Sequence, residues 1–236
     1  MSDTWFADRH AAGRRLGERL MRLKLEAPVI FALLRGGAPV AVEIARMLAA
    51  PLEVLLVRKI GAPDEPELAL GAVVDGAEPH LVVNETVRSL TGAGQAYLKA
   101  AMRRELAEIE RRRSLYPGAA TITDIRGRTA VVVDDGLATG STARAAVEAL
   151  RARGTGRIVV AAPVASQEAE ALLRPYVDDL VVLAAPPRFS GVGQFYGDFH
   201  QLDDDEVIGL LNAARAPARA AGSTGLDPPQ SPTPRP

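Results

Sequence analysis

Apolar positions along this chain follow two patterns that alternate from one end to the other. Short continuous runs read as strands buried on both faces: Val29 to Leu34 (V-I-F-A-L-L), Leu52 to Val57, Val131 to Val133 entered from Thr129 and Ala130, Arg157 to Val164, and Leu180 to Leu183. Between them, apolar residues recur three and four apart. Trp5 to Leu25 predicts an amphipathic helix with Ala12, Leu16, Leu20 and Leu23 on one face and Asp3 or Thr4 as its cap. A second strong helix is predicted over Gln95 to Arg113, striped by Leu98, Met102, Leu106 and Ile109. Further helices are predicted behind Pro39, behind a capping Ser141 or Thr142, around Glu168 to Leu173, and behind the acidic run Asp203 to Glu206. Strands alternating with helices predict an α/β, doubly wound domain with a mainly parallel sheet flanked by helices.

Three segments break this rhythm. Gly61 to Gly76, with Pro63 and Pro66, reads as a turn-rich loop running into a short strand or hairpin arm at Leu68 to Val74, and His80 to Asn84 reads as another short strand. The helical stretch at about 85–116 reads as an insertion. From Pro186 to Gln201, four aromatics (Phe189, Phe195, Tyr196, Phe199) are interrupted by glycines, so no regular period survives. They either pack under a loop or form a small hood, a flap whose aromatic face stacks on a planar ligand. One domain over 1–215 is expected. Residues 216–236, rich in Ala, Pro, Gly, Ser and Thr, lack the large apolar side chains needed to order themselves and read as a disordered tail.

Composition narrows the chemistry. With 236 residues and a formal net charge of −1, the chain has room for a sizeable core but no global field to recruit nucleic acid. It has no cysteine, which excludes disulfides, thiolate metal sites and a thiol nucleophile. His10, His80 and His200 are scattered without metal-ligand spacing. No run reaches membrane-spanning length, no signal-type segment leads the chain, and a cytoplasmic protein is expected. The triple arginine Arg111 to Arg113 reads as a charged helix end, favourable at the carboxyl terminus by the dipole argument.

The stretch with the most specific chemistry is V-V-V-D-D-G-L-A-T-G-S-T, Val131 to Thr142. Its order is buried strand, two carboxylates, glycine turn, hydroxyls and helix N-terminus. Amides and the dipole at a helix N-terminus receive a phosphate, while carboxylates accept hydrogen bonds from sugar hydroxyls. Rival readings fail on single residues. A nucleoside-triphosphate loop needs Lys where Gly140 stands, the spacing from Gly136 to Gly140 misses the dinucleotide fingerprint, and Ser141 lacks a nucleophile elbow. Arg35-Gly36-Gly37 repeats the strand-glycine-helix arrangement and supplies a second anion site or a simple tight turn. Arg58-Lys59 are two cations at the end of an apolar run, suited to a polyanion or to an exposed edge.

The central stretch resembles the phosphoribosyl pyrophosphate (PRPP) motif of type I phosphoribosyltransferases, and the chain up to its tail resembles a bacterial group of predicted phosphoribosyltransferases. The resemblance implies that Asp134 and Asp135 hold the ribose hydroxyls and that Ala138, Thr139, Gly140, Ser141 and Thr142 wrap the 5′-phosphate. It further implies that Arg35, Gly36, Gly37, Arg58 and Lys59 take the pyrophosphate, with an unusual, cis peptide near Leu34, Arg35 and Gly36. Asp134, Asp135 and Lys59 are the implied catalytic groups, and Phe189, Phe195 and Tyr196 the candidate acceptor contacts in the hood. Mg²⁺ is implied as a cofactor carried by PRPP and water with no direct protein ligand. PRPP, a small nitrogenous acceptor and a second copy of the chain are the implied partners. The implied lid would form around residues 61–76. Hypoxanthine-type members carry an Asp where this chain has Ala138, so the motif names neither a general base nor the acceptor. The alternative is a non-catalytic regulator that senses PRPP or a nucleotide in the same pocket.

Overall fold

The computed structural model describes residues 5–75, 79–116 and 124–215. Five parallel strands form the central sheet: β1 (Pro28–Leu33), β2 (Leu52–Leu55), and, after three intervening strands of a separate sheet, the strands at Thr129–Val133, Arg157–Val164 and Asp179–Ala184. The separate sheet is antiparallel and comprises β3 (Val57–Ala62), β4 (Glu65–Val74) and β5 (His80–Val83), which makes the last three central strands β6, β7 and β8. Central-sheet order is β2-β1-β6-β7-β8. The order reverses direction between β1 and β6, the switch point at whose carboxyl side open α/β sheets hold their ligands.

Alternation along the buried strands assigns each face its helices. Ile30, Ala32, Val131 and Val159 pack with Leu16, Leu20, Val40 and Ile44 from α1 (Arg9–Met21) and α2 (Gly37–Leu48). Val29, Phe31, Val132 and Val160 face the other way, against Val147 and Leu150 on the helix Ser141–Ala152 and Leu173 on the helix Gln167–Leu173. Two helices, α3 (Glu85–Thr91) and α4 (Gln95–Arg113), follow β5, so the pair above are α5 and α6. Leu98, Ala101 and Ile109 of α4 share a core with Ile60, Leu70 and Val73 of the antiparallel sheet and with Val207 and Leu211 of α7 (Asp204–Arg215). The arginines closing α4 pair with Glu108, Glu110 and Asp75, as a charged helix end should. No described helix is long and apolar enough to cross a membrane.

Three expectations change. The first helix begins at Arg9, not near Trp5, because Asp8 accepts the Ala11 amide at 2.6 Å and caps it. Trp5 and Phe6 instead run extended and donate their amides to the Phe195 carbonyl, both at 3.0 Å. The apolar run Leu52 to Val57 is two strands. Its parallel ladder stops at the Leu33–Leu55 pair, where β1 itself ends, and the chain crosses into the antiparallel sheet. Residues 61–74 are a paired hairpin with a two-residue turn at Pro63 and Asp64, not an open loop. Asp64 sits at φ 64°, and β4 is held on both sides by β3 and β5. The stretch 216–236 lies outside the described residues.

Candidate functional site

β6 is buried at every position from Thr129 to Val133 and delivers Asp134 and Asp135 to the switch point. The turn after them is tied to the next β-α unit. The Leu137 amide donates to the Val164 carbonyl at 2.9 Å, the Ser166 amide donates to the Leu137 carbonyl at 2.9 Å, and the Ser166 hydroxyl donates to the Ala138 carbonyl at 2.6 Å. Helix α5 then opens without a side-chain cap. Its N-cap is Gly140, at φ 73°, and Ser141 is already the first helical residue. That corrects the expected Ser or Thr cap. With a glycine cap, no side chain of the cap residue competes for the first amides of α5, although the Ser141 amide donates to the Thr139 hydroxyl at 3.4 Å; amides and dipole at such a terminus suit an anion. The Thr139 hydroxyl lies 3.2 Å from that of Ser141.

Two cavities meet at the paired acids. One, of about 130 Å³, is lined by Lys59, Asp134, Gly136 and the loop residues Ala138, Thr139, Gly140 and Thr142. The other, of about 320 Å³, is lined by Arg9, Arg35, Gly36, Asp135, Phe199 and His200, with Gln201 and Leu202 at its edge. The second loop closes on the first through its glycines. A Cβ on Gly36 would overlap the Asp135 carboxylate, and one on Gly37 would overlap the Val133 carbonyl. The Leu34–Arg35 peptide is cis.

The adjacent cations part company. Neighbouring residues on a strand point to opposite faces. Lys59 faces Asp134 and the loop, whereas Arg58 points to α4, where its Nε donates to buried Glu105 at 3.1 Å. Arg35 reaches the start of α7, with its guanidinium 3.7 Å from Asp204.

The two carboxylates differ in surroundings. Desolvation, reinforced by the charge of Asp135, pushes the Asp134 carboxyl well above the usual carboxylate range, against the pull of Arg9 and Lys59. Its Oδ1 accepts the Asp135 amide at 2.9 Å. Burial raises Asp135 as well, but Arg9 opposes it by donating Nε–H to Oδ2 at 2.8 Å. Arg9 escaped the sequence reading. One signal was there: a cation in the first turn of a helix runs against the dipole and asks what holds it.

The aromatic run is packed more tightly than an open flap. Phe195 and Tyr196 are buried beside Phe6, Ala12 and Val164, and the Tyr196 hydroxyl donates to the Asp135 carbonyl at 2.6 Å. Their rings contact Trp5, Phe6, Phe189 and Phe199. Phe189 and Phe199 keep part of their surface exposed.

Among the described residues no cluster of three or more His, Cys, Asp or Glu side chains is arranged to hold a metal ion. The cation and the loop backbone that line this cavity receive phosphate and do not ligate metal, so a hard divalent cation would enter the site held by a polyphosphate's own oxygens and by water.

Comparison with known proteins accords with this geometry. The phosphoribosyl transferase domain model matches residues 8–184. Two proteins of Mycobacterium tuberculosis, from strains CDC 1551 and H37Rv and each named "Putative phosphoribosyl transferase", are 42% identical to the chain over 226 residues. The match takes in 95% of this chain and 51% of each relative, so the chain spans about half the length of the curated relatives it matches. The crystal structure of TT1426 from Thermus thermophilus is 43% identical, with a TM-score of 0.75 over 87% of this chain and 97% of that one. Switch-point acids, glycine-capped helix and matched domain agree, and the chain belongs to the phosphoribosyl transferase domain family.

Proposed function

We propose that this chain transfers the 5-phosphoribosyl group of PRPP to a nitrogenous, nucleobase-like acceptor and releases pyrophosphate. The observation that carries the reading is the meeting of two carboxylates with two glycine-hinged anion loops at one switch point. The 5′-phosphate sits on the loop Ala138 to Thr142 at the α5 N-terminus. Asp134 and Asp135 accept hydrogen bonds from the ribose 2′- and 3′-hydroxyls. The backbone of Arg35-Gly36-Gly37 and the Lys59 ammonium take the diphosphate, and Arg58 is left to its structural partner Glu105.

In the reaction the C1–O bond breaks and its electron pair leaves with pyrophosphate. An acceptor nitrogen lone pair forms the new C1–N bond, and that nitrogen sheds its proton. The positive character that develops on the ribose ring is stabilised by the adjacent carboxylates, and Lys59 meets the charge on the departing diphosphate. Alignment of donor and acceptor supplies much of the remaining rate. Mg²⁺ would supply charge neutralisation for the diphosphate, carried in by substrate oxygens and water with no direct protein ligand. Phe189, a partly exposed ring of the hood, is the surface on which a planar acceptor would stack; Phe199 already carries Arg9 and Tyr196 on its ring.

The test is pyrophosphate release from Mg²⁺-PRPP across a panel of nitrogenous acceptors, run beside Asp134→Asn/Asp135→Asn. Turnover with at least one acceptor, lost in the double variant, is expected. Tight PRPP binding without turnover on any acceptor would refute the transferase reading in favour of a sensor. Unchanged PRPP binding by the double variant would refute the assignment of the acids.

A further inference from the structure

The amino-terminal segment and the hood close on Asp135 from two directions. Arg9 donates Nε–H to Asp135 Oδ2 at 2.8 Å and a terminal N–H to the His200 carbonyl at 3.0 Å. Its guanidinium carbon also lies 3.8 Å from the centroid of the Phe199 ring. Tyr196, stacked on Phe199, holds the Asp135 main chain through its hydroxyl. The paired side chains of Arg9 and Asp135 keep only 8% and 12% of their surface exposed.

Nothing in the stability of α1 calls for this arginine. A first-turn cation opposes the helix dipole, and burying a guanidinium carries a desolvation cost. What the side chain does offer is a planar fork of donors in fixed directions, able to hold a carboxylate and a carbonyl at once while lying on a ring. Lysine has no such geometry.

Resting on the ribose-binding role proposed for Asp135, we infer that Arg9 is a positioning residue: it fixes the Asp135 carboxylate and couples its orientation to the hood through His200 and Phe199. A displacement of the hood is thereby felt at the ribose acid without any direct contact between hood and sugar. The charged and titratable groups facing Asp135 are Asp134 just past β6, Arg9 on α1, Arg35 in the β1–α2 loop, and Tyr196 and His200 in the hood. Arg9 is the group that opposes the upward push of burial on Asp135, so its loss moves protonation of that carboxyl to higher pH.

The experiment is calorimetric binding of Mg²⁺-PRPP to the full chain, repeated from about pH 5 to pH 8, for wild type, Arg9→Met, Arg9→Lys, Asp135→Asn and Arg9→Met/Asp135→Asn. Arg9→Met is expected to weaken binding about tenfold or more, the scale of losing a charge-assisted hydrogen bond, and to move the acid limb of the binding profile upward. Arg9→Lys should recover part of both effects. On the Asp135→Asn background, Arg9→Met should change affinity little. A residue that only stabilises the fold would lower the melting temperature and leave affinity and acid limb unchanged below it, and that outcome overturns the inference. Should Arg9→Met not fold, wild-type affinity and acid limb in Arg9→Lys overturn it instead. Wild type that fails to bind Mg²⁺-PRPP refutes the ribose role and this inference together, whereas normal binding by wild type and Arg9 variants alike refutes the inference alone.

Discussion

Gly36→Ala separates the chemistry of the site from the conformation of its backbone. Gly36 lies at φ −56° and ψ −38°, ordinary right-handed space that alanine accepts. The backbone effect alone is therefore stabilising by about 0.4–1 kcal/mol, through the lower entropy of the unfolded chain. Against it stands a collision. The new Cβ would come within 3.0 Å of the Asp135 Cγ and of both carboxylate oxygens. Asp135 has a short side chain, is 8% exposed, and is held by Arg9 at 2.8 Å. Moving it strains or breaks a buried charged hydrogen bond worth about 1.5–3 kcal/mol, and more if the charge is left unpaired. The net is a loss of about 1–3 kcal/mol, or roughly 2–10 °C in melting temperature for a chain of this size. The assay is calorimetric melting of four proteins: wild type, Gly36→Ala, Asp135→Ala, and the double variant. With the carboxylate gone the obstacle is gone, so the same glycine substitution should stabilise the Asp135→Ala protein by about 0.4–1 kcal/mol. A Gly36→Ala protein as stable as wild type, or one that shows the same sign in both backgrounds, would refute the steric argument.

Two other expectations follow from the same geometry. Lys59→Met should weaken Mg²⁺-PRPP binding about tenfold, whereas Arg58→Met, which leaves buried Glu105 with exposed Arg104 as its one ion-pair partner among the described residues, should lower the melting temperature and leave PRPP affinity within about twofold. Equal losses of affinity for the two would show that the strand does not divide its cations between two faces. Asp134→Asn should remove PRPP binding yet stabilise the fold at neutral pH by about 1–2 kcal/mol, a trade typical of site residues held in unfavourable surroundings. The Asp134 carboxyl is raised in the folded state. Its contribution to stability is complete below the unfolded value of 3.8 and is lost as pH climbs through the raised folded value. The gain in Asp134→Asn, followed by melting against pH, should therefore shrink as pH falls toward 3.8; a gain that grows on acidification would contradict the desolvation account.

What could be read from residue order was whatever is set by burial on two faces or by helical spacing. β7 spans Arg157–Val164 and α4 spans Gln95–Arg113, the bounds expected from the run and the stripe alone, because continuous burial and a sustained apolar face leave little freedom. The strand-turn-helix order at the switch point was legible for a related reason: strand, acids and glycines lie consecutively. Leu52 to Val57 was misread as one strand since every residue but Glu53 is aliphatic and nothing local marks a break, which depends on where β1, far away in sequence, stops offering a ladder. Leu68 to Val74 was legible as a hairpin arm, but Gly61 to Glu67 was misread as loop because its Pro and Gly signal turns, and only the pairing of β3 with β4 shows that the turn is confined to Pro63 and Asp64. Arg9 was invisible for the opposite reason. Its partners Asp135, Phe199 and His200 are 126 to 191 residues away in the chain, and no local spacing encodes such a contact.

The hydrogen bonds that tie Leu137 and Ala138 to Val164 and Ser166 have a thermodynamic consequence. A phosphate usually meets a loop that must be frozen around it, and part of the binding energy goes into that freezing. Part of that ordering is supplied by the fold itself, since the loop's first turn is pinned to the neighbouring strand and helix and its entrance is set by the left-handed Gly140. On the proposed reading, the phosphate half of the substrate would therefore act as a stronger anchor, available to a bare ribose 5-phosphate as well as to the full donor. Discrimination in favour of the activated, diphosphate-bearing sugar would be left to Lys59, which shares the loop's cavity, and to the turn behind β1 on the far side of the paired acids.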